Sequence, residues 1–517
     1  MAKGQGDLYL DKTAIWKHRE WRGLPDTAYD FAKWCTLWSK LILWVAKHPE
    51  QNAKAIFRYR WMFNYLTVPS FFARIMSGLK GAALEGAWGN MLTLVDSVTD
   101  LLDTEFSADA HLHPNSEKAA ALSKKIIQMD ELIPAIIGAG FPNHKVVLTQ
   151  MLPAYLPSLI NQHSPLHYIG ETESYGLPAD VCPLPSLEEG VAIDDDFPKI
   201  GCCMVSCNMP CDGSIMTTSL QDRRHGLPTV ALNVPLRWTR EEAQEYAVAE
   251  YRSVIAFLEE QTGETFRWDK LREACEIWNQ QTLCKREKWE MNRTSLAPHT
   301  GSTTWLYRIF EYQCACGTVA AMKNDRKVNA RLRKQMEAKK FPKTVRHRAI
   351  IWNTPANMYA NFNNWMLDCW GIDSVAEMID FQGSELIDTT TDETMLYGIA
   401  KMAQGATMRV HTKGGYEMIL HDLWAKYEEF NGDMIIMFDQ ISCKGVGAIN
   451  GLFEEGARQR GIPMCWVKQD LLDPTTFSRR DMRDCVNTFM QTVMNETPLD
   501  PSLVDFDDSE SWQRRNR

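Results

Sequence analysis

The chain has 517 residues, 45% hydrophobic and 24% charged, with a formal net charge of −10 and a pI near 5.7. This composition supplies core for two or three domains, and the acidic balance excludes the basic footprint that nucleic-acid binding needs. Fourteen cysteines, with no apolar export segment in the opening MAKGQGDLYLDK, point to a reducing compartment rather than a disulfide framework.

Residues 1–143 read as a helical, aromatic-rich extension. Seven of the 18 tryptophans fall here: Trp16, Trp21, Trp34, Trp38, Trp44, Trp61 and Trp88. They are expected to fill a helical core or a subunit contact. The most apolar run, WCTLWSKLILWVA (34–46), is too short for a bilayer and contains Lys40, so no membrane span is expected.

From 144 the texture alternates between strand and helix, and 144–345 reads as a first α/β domain. HKVVLT (144–149) is strand-like, PAYLPSLIN (153–161) helical and PLHYIG (165–170) strand-like again. KIGCCMV (199–205) reads as a buried strand and SIMTTSLQDRR (214–224) as a helix, which His225-Gly226-Leu227-Pro228 stops before the strand TVALNVP (229–235). A helical insert follows over about 239–340. In it Ala247, Tyr251, Val254 and Leu258 share one helical face, and Gly263 ends that helix. A second α/β domain, 346–517, holds RAIIWN (348–353), a helix to about Cys369, SVAEMIDF (374–381) after Gly371-Ile372, and the strand DMIIMF (433–438). A helix over about 449–460 is stopped by Gly461-Ile462-Pro463, and MCWVK (464–468) is the next strand.

Two segments are therefore built alike: strand, cysteine-bearing loop, helix, Gly-(Leu/Ile)-Pro, strand. The loops are SCNMPCDG (206–213) and DQISCKG (439–445). Ligands of open parallel sheets sit beyond the carboxyl ends of the strands. Cys211 and Cys443 are each expected just before a helix, where the positive dipole end favours thiolate. A zinc site is disfavoured, because Cys207-x3-Cys211 finds no second pair and Cys314-Ala315-Cys316 is too tight. Cys182, Cys211 and Cys443, one from each of three loops at strand ends, form a set that an iron–sulfur cluster with one open iron could use. Buried structural thiols are the other reading of the same residues, and spacing does not choose between the two.

Three stretches carry a resemblance: CCMVSCNMPCDGSIMTTSLQDRRHGLPTVALNVP (202–235), EEQTGETFRWDKL (259–271) and ISCKGVGAINGLFEEGARQRGIPMCWVKQDLLDPTTFS (441–478). Over about residues 144–490 the chain resembles the larger, alpha-type subunits of the 2-hydroxyacyl-CoA dehydratase and class I benzoyl-CoA reductase family. The resemblance implies two flavodoxin-like parallel-sheet domains facing each other across a [4Fe-4S] cluster with one open iron site. Its ligands would be Cys182, Cys211 and Cys443, with Cys207 the rival for the second position. Cys202, Cys203, Cys275, Cys284, Cys369, Cys465 and Cys485 are assigned to the core. The implied reaction removes water from a (R)-2-hydroxyacyl-CoA through a ketyl radical made by one-electron reduction, leaving an enoyl-CoA.

By position at the ends of the first two strands, Thr149 and Glu171 are expected to handle the leaving hydroxyl and the proton. Their plain readings are a helix cap and a solvated carboxylate. Lys444 either offsets cluster charge or is merely exposed. The implied partners are a smaller related cluster-bearing subunit, making a heterodimer, an ATP-hydrolysing iron–sulfur activator, and the acyl-CoA substrate. DLLDPTTFS (470–478) fits the aryl-CoA reductase branch, whereas DRRHGLP and CCMVSCNMPC fit the dehydratase branch. A non-catalytic electron-relay subunit, with Cys207 closing the cluster, is the third reading.

Overall fold

The computed structural model describes residues 8–10, 23–47, 49, 79–104, 125–130, 133–148, 164–194, 201–207, 213, 226–235, 240–294, 303–339, 343–356, 359, 361–381, 383–406, 415–506 and 512–514. Two helices, α1 (Leu24–Lys47) and α2 (Gly81–Thr104), lie in the N-terminal region. Buried Trp88 of α2 donates its indole Nε1–H to Asp30 Oδ1 of α1 at 2.8 Å, so this tryptophan does fill a helical core. Trp16, Trp21 and Trp61 lie outside the described residues.

The first sheet is parallel and contains β1 (Ile126–Met129), β2 (Lys145–Leu148), β3 (Cys203–Cys207) and β4 (Thr229–Leu232), in the order β2-β1-β3-β4. Strand β1 falls inside the stretch read as helical. All four of its residues are buried, and an apolar run this short does not reveal its period. Helices α3 (Ser164–Tyr175) and α4 (Pro183–Asp194) lie between β2 and β3. PLHYIG is thus part of a helix and not a strand. Its buried positions, Pro165, Tyr168 and Thr172, recur at helical spacing. PAYLPSLIN (153–161) and SIMTTSLQDRR (214–224) lie outside the described residues.

The helical insert holds α5 (Glu241–Thr262), α6 (Trp268–Asn292), α7 (Thr303–Phe310), a π-helical turn over Glu311–Ala315, and α8 (Val319–Glu337). Ala247, Tyr251, Val254 and Leu258 of α5 are buried in one cluster with Ile127 and Val205 of the sheet. Gly263 closes α5 at φ 69, a left-handed conformation that suits glycine, and returns its N–H to Glu259 O. Helix α2 docks on α8, where Asn324 Nδ2 donates to Asn90 Oδ1 at 2.8 Å.

The second sheet repeats the first. It is built from β5 (His347–Trp352), α9 (Phe362–Trp370), β6 (Ile372–Glu377), α10 (Asp392–Gln404), α11 (Tyr416–Glu429), β7 (Met434–Gln440), the single turn α12 (Lys444–Gly447), α13 (Asn450–Arg460), β8 (Met464–Gln469) and α14 (Arg479–Thr492). Strand order is β6-β5-β7-β8, again second-first-third-fourth in chain order and again parallel, which is the flavodoxin-like pattern. One face buries Ile351, Ile436 and Phe438 against Met482 and Val486 of α14. The other buries Ile350, Ile435 and Met437 against Leu423 of α11 and Phe453 of α13. Burial on both faces explains why these strands read as unbroken apolar runs. Each such side chain adds about 1.5–3 kcal/mol of transfer free energy.

His347 opens β5 between two carboxylates, with Nε2 2.8 Å from Glu496 Oε1 and Nδ1 3.7 Å from Asp433 Oδ1. The two carboxylates, Asp433 first and then the hydrogen-bonded Glu496, raise its pKa against the opposing effect of burial. A histidine raised on folding adds stability that is fully present below its unfolded pKa of about 6.5 and is lost as pH rises through the folded value. Urea midpoints for wild type and His347→Gln are expected to differ most at about pH 5.5 and to converge by about pH 9. A gap that widens with pH would contradict this.

Candidate functional site

The carboxyl ends of β7 and β8 are joined by a side-chain network. Ile441 N–H extends the ladder to Gln469 O at 3.1 Å, and Cys443 N–H turns back to Gln440 O at 3.0 Å. Cys443 then caps α12, its carbonyl accepting from Gly447 N–H at 2.9 Å. Asp470, buried just beyond β8, holds this turn from below. Its Oδ2 accepts from Ser442 Oγ at 2.9 Å and from Gln440 Nε2 at 3.4 Å. Its Oδ1 accepts the N–H groups of Leu472 at 3.0 Å and Asp473 at 2.9 Å. Burial pushes this carboxyl up, and the two N–H groups partly offset the push.

Asp473 continues the series by accepting from Thr475 N–H at 2.7 Å, and Ser478 starts α14 in a reciprocal capping box with Asp481. DLLDPTTFS is thus a run of side-chain-to-backbone turns.

Cys182 lies elsewhere than expected. It sits in the turn between α3 and α4, not at a strand end. The two helices pack closely at Gly190, where a Cβ would fall 1.9 Å from Tyr168 O, and Thr172 Oγ1 donates to Ser186 O at 2.6 Å. Cys182 O accepts from Ser186 N–H at 3.4 Å and from Ser186 Oγ at 3.2 Å, which starts α4. Leu184 and Leu187 of α4 share a core cluster with Ile379, just past β6, and with Leu471 and Leu472, just past β8. The Cys182 turn is therefore packed onto the carboxyl end of the second sheet.

An ion pair completes the junction, with Lys444 Nζ 2.5 Å from Asp180 Oδ2. It joins the residue after Cys443 to a residue two before Cys182. Lys444 is thus engaged rather than merely exposed. The hydrogen bond from Lys444 holds the Asp180 carboxyl below its usual range. Both partners are solvent-exposed, so the pair aligns the turns more than it holds them by strength. Cys182 and Cys443 are both partly buried.

The remaining candidates separate. Cys207 ends β3 with 3% exposure, and its Sγ donates to Asp130 Oδ2 at 3.9 Å beyond β1. Cys203 is buried in the same sheet, with Cys202 Sγ 3.5 Å away. Burial pushes the thiol of Cys275 up to about 12, that of Cys284 to about 11 and that of Cys369 to about 12, as it does for Cys465. Such thiols are poor nucleophiles and poor ligands. Cys211 and Thr149 lie outside the described residues. Glu171 is partly buried in α3, so its expected place at a strand end is corrected to a helix whose end leads to the Cys182 turn. Among the described residues no group of three His, Cys, Asp or Glu is gathered as a metal site.

Residues 153–493, about two thirds of the chain, match the sequence model of a family described as 2-hydroxyglutaryl-CoA dehydratase, D-component. The chain belongs to this family. No curated protein matches it. The dehydratase segment takes in both cysteine turns, Asp180, Lys444 and Asp470, whereas α1, α2, β1 and β2 precede it. Among the described residues no helix is long and apolar enough to cross a membrane.

Sequence reasoning missed Asp470, Ser442 and Asp180. The first was visible as DLLDP, since Asp followed two and three residues later by free N–H groups is a turn signature. Nothing in the sequence pairs Asp180 with Lys444.

Proposed function

We propose that the chain is the iron–sulfur subunit of a 2-hydroxyacyl-CoA dehydratase that eliminates water from a (R)-2-hydroxyacyl-CoA to give the enoyl-CoA. The observation that carries this reading is the meeting of the Cys182 and Cys443 turns through the Lys444–Asp180 pair at the carboxyl end of a parallel sheet, inside the matched segment. The donor chemistry fits a cluster: the two thiols are partly buried and the turns that carry them are fixed by backbone hydrogen bonds. Cys211 is proposed as the third ligand, and the burial of Cys207 within the sheet supports that choice. A [4Fe-4S] cluster on these three would supply one low-potential electron and one open iron for the thioester oxygen.

An electron is needed because the β proton of a 2-hydroxyacyl-CoA is barely acidic. The cluster would lend one electron to the thioester, which would let the α-hydroxide leave and make the β proton removable, and would take that electron back as the enoyl-CoA forms. Around this chemistry the protein's own tasks are modest. The Cys443 turn and the α3–α4 turn present the two thiols. Lys444 and Asp180 keep them aligned. Glu171, on the helix leading into Cys182, is proposed as the proton acceptor, and Thr149, directly after β2, as the partner of the leaving hydroxyl.

The D-component description supports a partner component, proposed to be a smaller related cluster-bearing subunit in a heterodimer. Electron supply by an ATP-hydrolysing iron–sulfur activator and a cytoplasmic location complete the proposal. The test is electron stoichiometry with the assembled complex, its activator and a limiting reductant under anaerobic conditions. Many enoyl-CoA molecules per electron are expected, because the electron returns after each turnover. Two electrons consumed per product would point to an aryl-CoA reductase, and iron-bound protein without turnover to an electron relay; either result overturns the proposal.

A further inference from the structure

We propose that Asp470 is a positioning residue that sets the Cys443 turn by gripping Ser442. The inference rests on Cys443 being a ligand, as proposed above, yet its geometry stands apart from any metal. A turn of the DLLD type needs one carboxylate oxygen, and Oδ1 meets that need through the N–H groups of Leu472 and Asp473. The second oxygen leaves the turn altogether. It reaches across from the end of β8 to the end of β7, where Ser442 Oγ and Gln440 Nε2 converge on it. Gln440 Nε2 also lies 2.7 Å from Ser442 Oγ, which closes a three-membered ring.

The consequence falls on the neighbouring residue. Ser442 immediately precedes Cys443, and the Cys443 N–H is held by the carbonyl of Gln440. Side chain and backbone of Gln440 therefore fix the same three-residue turn from two directions, with Asp470 as the common anchor. Asp470 is 4% exposed and Ser442 partly buried, so water competes weakly for these bonds. A cysteine on an exposed one-turn helix would otherwise have freedom to swing. Ligand turns need placement to within a fraction of an ångström, and residues locked by partners of this kind provide it.

The test uses the full chain purified anaerobically as wild type, Ser442→Ala, Asp470→Ala and Asp470→Asn. Alkylation of Cys443 by iodoacetamide after iron removal is followed by peptide mass spectrometry, with Cys182 as internal reference. Losing one net hydrogen bond corresponds to roughly 2–10-fold in local opening. Ser442→Ala and Asp470→Ala are expected to speed Cys443 labelling by about fivefold and to leave Cys182 within about twofold. Asp470→Asn keeps the Oδ1 contacts and should lie between. In iron-replete protein the same variants should broaden the electron paramagnetic resonance signal of the reduced cluster, a signature that general destabilisation does not produce.

Unchanged Cys443 labelling in both alanine variants, or an equal rise at Cys182 and Cys443, overturns the inference. Should Asp470→Ala fail to fold, Ser442→Ala removes a single hydroxyl and still decides. Selective Cys443 acceleration in a wild-type background that binds no iron would uphold the anchor and sink the cluster reading. Bound iron with unmoved labelling would do the reverse.

Discussion

Replacing Arg308 by methionine is expected to destabilise the fold by about 3–5 kcal/mol, the range for stranding a buried charge. Arg308 of α7 is paired with Glu311, the first residue of the π-helical turn, and both side chains are buried. Gln281 Nε2 of α6 adds a hydrogen bond to Glu311 Oε1 at 3.0 Å. Lys285, Lys288, Asp325, Glu377 and Asp380 are buried in the same region between the insert and the second sheet.

Charge bookkeeping there is delicate. Burial, and then the neighbouring Glu311, pushes the Asp325 carboxyl well up. Burial also pushes Glu311 up, but Arg308 and Lys285 outweigh it and hold that carboxyl below its usual range. Lys285 is itself pushed down to about 8 by burial, which makes it a weak substitute for a guanidinium. Without Arg308, Glu311 must either stay charged and unpaired or take up a proton. Guanidinium midpoints with an unchanged slope would read the loss. Glu311→Gln in the Arg308→Met background should recover part of it, because the stranded charge is then gone. A loss under about 1 kcal/mol would show that the network is wet or that Lys285 takes over fully.

The architecture was legible where burial is two-sided. RAIIWN, DMIIMF and MCWVK contain the unbroken apolar runs AIIW, MIIMF and MCWV, and they became β5, β7 and β8 because helices cover both faces of the sheet. Gly263 and Gly461 marked helix ends since the chain turns there at positive φ. The errors came where a run was short. IIQM is four residues, which suits a strand or a helical turn equally, and PLHYIG hid the 165-168-172 spacing under its Pro and Gly. Of the site, the Cys443 turn was readable because a repeated strand–loop–helix pattern framed it. The Cys182 turn was not placed correctly, because an α3–α4 hairpin carries no strand signal. The bond from Asp470 to Ser442 spans 28 positions, and Lys444 to Asp180 many more. Contacts of that range leave no periodic trace in a sequence.

Cys443→Ala and Cys182→Ala are each expected to drop bound iron from about four per chain to below about one, and dehydration to under about 1% of wild type. Partners of ligands already cost 10–100-fold when removed, and a ligand itself should cost no less. The fold should survive both changes, and the reason lies in the backbone. Helix α4 starts from the carbonyl of Cys182, which accepts both bonds from Ser186, and α12 starts from the carbonyl and N–H of Cys443. Alanine retains all of these groups. The two thiols are partly buried, so truncation leaves little cavity, and melting temperature should shift by only a few degrees. Cys207→Ala should behave in the opposite way. Its thiol is packed in the first sheet against the Asp130 carboxylate, so the variant should lose some stability and keep its iron. Iron and acid-labile sulfide on anaerobically purified chains, measured beside the melting curves, separate these outcomes. Iron retained in Cys443→Ala, or lost in Cys207→Ala with the fold intact, would move the ligand set from the turn between the sheets to the strand end of the first sheet, and the open-iron chemistry would have to be rebuilt around Asp130.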